Sequence, residues 1–251
     1  MESFDKLVDL MATLRSNEGC PWDRKQTVSA FKTFMLEEVY EIIEAIEHND
    51  MANLKEELGD LLFHIVFIAQ ICKEHRAFDI IEVIDSVYRK MYNRHPHVFQ
   101  KQPLDTPVEV KWEEIKKTEK DDYSLLANIP SAMPALLRAY VITKRAAKVG
   151  FDWEKVDDVY GKMHEEIGEL KEAQASGDTA HIREEIGDLL FTIVNIARFL
   201  NVDPEDALRS TSDKFTRRFS YIENNTDIRN ATLDTMDKLW NDSKSMENEE
   251  E

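Results

Sequence analysis

Apolar residues along this chain recur three and four positions apart. Leu7, Leu10, Met11 and Leu14 form one such stripe, and Tyr160, Met163, Ile167 and Leu170 form another, each with polar residues between them. That spacing lines up one side of a helix, whereas no run alternates every second residue as a half-buried strand would. Start signals agree. Thr106, Pro107 and Glu109 make a capping box with proline at the first helical position, and Asp203 followed by Pro204 opens another helix. The pattern predicts about ten helices and an all-α fold. Only seven glycines and seven prolines interrupt it, and no glycine falls between Gly59 and Gly150. Four prolines (Pro103, Pro107, Pro130, Pro134) flank the charged segment EVKWEEIKKTEKDD (109–122), which predicts an N-terminal domain over 1–122 and a C-terminal domain over 123–251.

The pattern also repeats. LKEELGDLLFHIVFIAQI (54–71) aligns without gaps on IREEIGDLLFTIVNIARF (182–199), with 11 of 18 positions identical. At the same offset of 128 residues, Glu37, Glu38, Glu41 and Glu44 fall on Glu165, Glu166, Glu169 and Glu172, and Trp112 falls on Trp240. KMYNR (90–94) matches KFTRR (214–218) after a four-residue insertion in the first copy. The order is therefore a helix with EExxE, a helix with ExxD, a basic helix and a helix carrying Trp, twice. The chain reads as two tandem helical-bundle repeats.

One EExxE in an acidic chain is ordinarily a solvated helix face. Two copies that diverged elsewhere, yet keep the same carboxylates at the same spacings, point instead to a metal site. In the second copy Glu165 and Glu169 are neighbours on a helix, Glu166 lies nearer the apolar stripe, and Glu185 and Asp188 are neighbours on the next helix. Asp188 and its counterpart Asp60 each precede Leu-Leu-Phe. The expectation is that both sit at the lip of a core, where an unpaired carboxylate costs several kcal/mol and needs a cation. The helix after Asp188, LLFTIVNIARFL, is expected to be enclosed on nearly all sides. All-oxygen ligands suit Mg²⁺, with Mn²⁺ as a substitute, and not zinc; a di-iron bundle would need Glu-x-x-His pairs, and no histidine here lies three residues after a glutamate. Mg²⁺ commonly completes its shell with phosphate oxygens, which suggests a polyphosphate substrate. Gly59 and Gly187 interrupt strong helices one residue before each Asp, for close approach of either a helix or a ligand. Lys214 and Arg218, four apart with Arg217 beside them, are candidate phosphate holders, and otherwise exposed basic residues. Trp240 either stacks on a base or anchors the last helix.

Composition narrows the class. Of 251 residues, 42% are hydrophobic and 33% charged, as in a globular helical protein, and the net charge of −18 disfavours nucleic acid. Cys20 and Cys72 suit free thiols in a reducing compartment. MESFDKLVDLMATLR lacks the basic start of a signal peptide, and the longest apolar stretch, 61–71, is too short for a bilayer, so a cytoplasmic location without membrane attachment is expected.

Together with CPWDRKQT (20–27), NRHPHVF (93–99), KRAAKVGFDW (144–153) and KFTRRF (214–219), the duplicated carboxylate sets closely resemble the MazG family of nucleoside triphosphate pyrophosphohydrolases in its two-repeat form. The resemblance covers almost all of the chain except the tail MENEEE (246–251). It implies an all-α NTP pyrophosphatase fold that dimerises through helices. It also implies cleavage of ribo and deoxyribo triphosphates between the α and β phosphates, with broad base specificity, in nucleotide-pool housekeeping or stress response. Carried onto matching positions, it implies metal ligands Glu166, Glu169, Glu185 and Asp188, with Glu165 and Glu184 positioning or deprotonating water. Lys214, Arg217 and Arg218 would hold phosphates and Trp240 would lie near the nucleotide. Glu38, Glu41, Glu57 and Asp60 would form a second site in the first repeat. The alternative is a non-catalytic helical module that binds nucleotide or metal and acts through a regulatory protein partner on the acidic surface.

Overall fold

The computed structural model describes residues 2–101, 103, 106–119 and 124–250, with the side chains of Glu109, Glu113 and 248–250 excepted. The described residues are helical with no strand. They form two compact units, Met1–Lys116 and Lys117–Glu251. The domain boundary expected at 122/123 lies outside the described residues, as does the Glu109 side chain of the expected capping box.

The first unit comprises α1 (Glu2–Leu14), α2 (Phe31–Glu47), α3 (Met51–Glu74), α4 (Ile80–Arg94), the short α5 (Pro96–Phe99) and all but the last two residues of α6 (Val108–Thr118). α2 and α3 form a tightly packed hairpin with α1 laid on α3. Asp50 opens α3 by accepting from the amides of Ala52 (3.1 Å) and Asn53 (3.0 Å), so the direction of the hairpin is set locally. The apolar stripe of α1 buries Met11 against Phe31, Val66, Phe67 and Ile71.

The second unit repeats the plan with α7 (Ala135–Ala147), α8 (Val156–Ser176), α9 (Thr179–Phe199), α10 (Pro204–Asn225) and α11 (Leu233–Glu250). Gly177, at φ +72°, closes α8, and Asp178 caps α9, so two residues reverse the chain. α7 packs on α9, and α11 packs on α10. Asp203 caps α10, accepting from Glu205 (2.9 Å) and Asp206 (3.1 Å), with Pro204 at its first position as the sequence predicts.

Two expectations fail. α9 is not enclosed on all sides: Ile186, Leu190 and Ile193, three and four apart, share an exposed face, because α7 and α8 cover only the other sides. Nor does another helix crowd Gly59 or Gly187, since a Cβ built on either meets nothing within 4 Å.

Candidate metal centre

The α8–α9 hairpin places Glu166 against Glu185 and Asp188, with one carboxylate oxygen of each within 4.8 Å of the others. Glu166 is 4% exposed and Glu185 is 7% exposed. Asp188 is exposed, and so is Asp60. The desolvated acids are therefore the two glutamates and not the aspartates. The Leu-Leu-Phe that follows each Asp turns onto other sides of its helix. Glu169 stands one turn beyond Glu166, and its pKa is raised by desolvation and by the charges of Glu166, Glu185 and Glu165, against the lowering effect of Lys162.

Two basic residues meet this cluster. Lys162 Nζ lies 2.7 Å from Glu165 and 2.8 Å from Glu166, and these bonds raise its pKa, which holds it as ammonium. His181 Nε2 lies 2.9 Å from Glu185 Oε1. Both were overlooked in the sequence, although each precedes its glutamate by one helical turn (162 to 166, 181 to 185), a spacing that favours contact. Glu185 Oε2 is nevertheless buried with no hydrogen-bond partner. A buried carboxylate oxygen left unsatisfied among two other carboxylates fits a hard divalent cation, so the donor set suits the metal that the sequence implies. Glu165 is half-exposed beside Lys162, and Glu184 is exposed on the outer side of α9.

The first unit gathers Glu38, Glu41 and Glu57 in the same way. Its surroundings differ. Phe34 stands where the second repeat has Lys162, and His64 stands where it has Thr192. His64 Nδ1 lies 3.7 Å from Glu38, but the ring is wedged among Phe31, Phe34 and Phe63, and desolvation lowers its pKa. With a neutral imidazole as neighbour, Glu38 is pushed up to about 7 by burial and then by the charges of Glu41, Asp60 and Glu57.

This shift has a stability consequence. The folded chain keeps a proton on Glu38 that the unfolded chain releases at its ordinary value of 4.5, so this group's contribution is full below 4.5 and is lost as pH rises toward 7. Thermal unfolding midpoints of the metal-free protein should fall across that window, and Glu38→Gln should flatten the fall. An unchanged profile in the variant would remove Glu38 as its source.

The basic residues assemble elsewhere in the second unit. Arg218 Nε and Nη2 donate to Glu247 Oε2 (2.8 and 2.6 Å), Arg217 lies 3.8 Å from Glu247 Oε1, and the Arg218 guanidinium covers the Trp240 ring at 5.6 Å. Phe215 supports the same ring at 5.1 Å. Lys214 is exposed on α10. Among the described residues, no ion pair or hydrogen bond joins this α10–α11 cluster to the α8–α9 carboxylates. Trp240 thus packs on its own basic helix, as Trp112 packs on His95 (5.5 Å) in the first unit.

Comparisons with known proteins agree with the duplication. The family described as the MazG nucleotide pyrophosphohydrolase domain matches residues 26–99 and 157–222. Nucleoside triphosphate pyrophosphohydrolase/pyrophosphatase MazG of Thermotoga maritima is 44% identical over 248 residues, which cover 96% of this chain and 95% of that one. The nucleoside triphosphate pyrophosphohydrolase of Escherichia coli is 41% identical over 260 residues, covering 98% and 99%. A solved mazG-related protein from Thermotoga maritima matches 45% of this chain and 98% of its own at 30% identity, with a TM-score of 0.39.

Proposed function

Because the chain belongs to the MazG nucleotide pyrophosphohydrolase family, we propose that its second repeat hydrolyses nucleoside triphosphates to monophosphate and pyrophosphate with Mg²⁺, Mn²⁺ serving as substitute. The observation that carries the metal is the buried, unpartnered Glu185 Oε2 inside the Glu166–Glu185–Asp188 cluster; Glu38 Oε2 is in the same state in the first unit, and what favours the second repeat is the Lys162 ammonium, whose place Phe34 takes in the first. Glu166, Glu185 and Asp188 would hold the cation, with Glu169 at the edge. When bound, the cation neutralises triphosphate charge and acidifies a coordinated water. Lys162, already an ammonium at the rim beside Glu165 and Glu166, would take a phosphate oxygen. Water forms the new bond to the α-phosphorus, and the bond from that phosphorus to the α–β bridging oxygen breaks, its electron pair leaving with pyrophosphate. Of the two expected proton acceptors, Glu165, beside Glu166 on α8, takes the proton released by the water, whereas Glu184 stands on the outer side of α9. Lys214, Arg217 and Arg218 hold the departing phosphates, with Trp240 as the platform under Arg218.

Reactivity is centred on phosphate, so ribo and deoxyribo triphosphates of every base are accepted, which suits nucleotide-pool housekeeping or stress response. A homodimer is the working form. The exposed Ile186–Leu190–Ile193 face of α9, with Leu208 and Phe215 exposed on α10, is apolar surface that a second copy would cover. No helix among the described residues is long and apolar enough to cross a membrane.

Product identity tests the reading. With Mg²⁺ and a panel of triphosphates, anion-exchange chromatography should show monophosphate and pyrophosphate in equal amounts and nothing without the metal. Diphosphate with orthophosphate would mean an ordinary phosphatase, and intact triphosphate would mean a binding module.

A further inference from the structure

The reaction described above leaves one strong contact of the second unit unused, that between Glu247 and the paired arginines of α10. Trp240 and Glu247 are seven residues apart on α11, close to two helical turns, so they share a side of that helix, and both meet α10. The first repeat keeps the same spacing, with Glu119 seven residues after Trp112. The position has therefore held a carboxylate in both copies, as the metal centre has.

The contact has the chemistry of an oxyanion site already filled. Glu247 Oε2 accepts from Arg218 Nε (2.8 Å) and Nη2 (2.6 Å), the donors of one guanidinium edge, and Glu247 Oε1 lies 3.8 Å from Arg217 Nε. One carboxylate thus sits between two guanidinium groups, an arrangement in which arginine takes phosphate oxygens equally well. The Arg218 side chain is 13% exposed and that of Glu247 is 31% exposed, so the pair is sheltered on most sides. Trp240 backs the Arg218 guanidinium at 5.6 Å, and Phe215 backs Trp240 at 5.1 Å.

A guanidinium edge that serves a carboxylate cannot serve a phosphate at the same time. A phosphate oxygen that reaches this edge must displace Glu247, which the chain itself holds beside the arginines at high effective concentration. The apparent affinity for phosphate then falls in proportion to the fraction of molecules in which the pair is open.

We propose that Glu247 is an internal competitor for phosphate: its carboxylate occupies the Arg217–Arg218 pair in the free chain and is displaced by the terminal phosphates of the substrate and by pyrophosphate. The proposal rests on the reading above in which these arginines hold the departing phosphates. Glu247 returns to the pair as pyrophosphate leaves, so it weakens substrate and product by the same factor.

A competitor and a structural prop predict opposite signs. KM for nucleoside triphosphates, the inhibition constant of pyrophosphate and the calorimetric dissociation constant of inorganic tripolyphosphate are measured at saturating Mg²⁺ on the full chain. The variants are Glu247→Ala, Glu247→Gln, Arg218→Ala and Asp242→Asn. Glu247→Ala should lower all three constants together, by about two- to fivefold, as expected for release of a partly exposed ion pair. Glu247→Gln should act in the same direction by less, because its amide oxygen keeps a neutral bond to Arg218. Arg218→Ala should raise the constants about tenfold or more. Asp242→Asn removes the same charge from an exposed position of α11 and should leave them unchanged.

The Glu247 variants should keep the fold, since the Phe215–Trp240 contact remains and Ile222 of α10 and Ser243 of α11 stay buried. Glu247→Gln, which preserves shape, decides the matter if Glu247→Ala disturbs the end of α11. Weaker binding in both Glu247 variants would make the carboxylate a prop for Arg218, and unchanged binding would separate it from phosphate altogether. Either result overturns the proposal, as does an equal gain in Asp242→Asn, which would signal general charge. If Arg218→Ala changes nothing, the phosphate reading of this pair fails and the competitor with it. If Arg218→Ala weakens binding while neither Glu247 variant tightens it, only the competitor fails. Should the unaltered chain release no pyrophosphate from triphosphates, the reaction reading fails by itself, and tripolyphosphate binding still decides the role of Glu247.

Discussion

Glu166→Ala is expected to lower kcat/KM for nucleoside triphosphates by about a hundredfold or more while leaving the helical fold intact. Glu166 is the carboxylate of α8 that meets both Glu185 and Asp188, so its loss leaves α9 with only Glu169 at the edge to help hold the cation. The fold should survive because the substitution removes a negative charge packed against Glu185, while Lys162 keeps its 2.7 Å bond to Glu165. Asp188→Ala should act in the same direction and cost less, since Asp188 is exposed and water can replace part of its coordination. Glu172→Ala is the control for general acidity: it is exposed, one turn from Glu169, and kept in both repeats, yet it lies outside the cluster. It should stay within about twofold of the unaltered chain. Titrating Mg²⁺ in each variant separates a lost ligand from a lost fold, because a lost ligand moves the metal midpoint while the far-ultraviolet dichroism stays constant. Full activity in Glu166→Ala would remove the centre assigned here.

The contrast between the repeats gives this prediction a second arm. Glu38 occupies the corresponding place in the first unit, but Phe34 there replaces Lys162. A metal could still meet Glu38, Glu41 and Glu57, but the ammonium that accompanies the second cluster is missing. Turnover in Glu38→Ala should therefore remain close to that of the unaltered chain.

The all-helical fold was legible in the sequence because its signals are local. The three-and-four spacing of Tyr160, Met163, Ile167 and Leu170 marks a helix without reference to the rest of the chain, and Asp203–Pro204 specifies a helix start by itself. The duplication made the Glu166 and Glu185 positions legible by showing which acids were retained. Burial was misread because it depends on what packs from outside the helix. Asp188 precedes Leu-Leu-Phe in the chain, yet it projects to an open side while Glu185, one turn earlier, is covered. Lys162 and His181 obey the same one-turn rule that groups the carboxylates, but a Lys or His one turn before a Glu is common on any solvated helix face and does not by itself mark a site. The pairing of Glu247 with the arginines was not legible at all. It joins two helices, and only the folded chain brings Arg217, Arg218 and Glu247 together.

The separation of acids and bases within one chain leads to the other large expected effect. α10 packs mainly on α11; its first turn meets α7, where the Leu137 amide donates to Glu205 Oε2 (3.2 Å), and among the described residues it has no substantial packing on α8. Lys214 is ten residues beyond Pro204, about 15 Å further along α10 at the helical rise. A triphosphate bound at the carboxylates needs cationic partners beyond Lys162, and the α10 of a second copy is one source from which they can come. If one copy supplies Glu166 and the other Lys214, Glu166→Ala and Lys214→Ala should each be nearly inactive as homodimers. A heterodimer of the two, purified through two different tags, should recover about half the activity of the unaltered dimer. The arithmetic follows from symmetry: one of its two sites combines the intact acids of the Lys214→Ala copy with the intact lysine of the Glu166→Ala copy, and the other site carries both lesions. A site contained within one chain would be damaged in both copies and recover nothing. Recovery in the heterodimer therefore distinguishes a shared site from two that merely sit side by side, and its absence would return Lys214 to the chain that holds the metal.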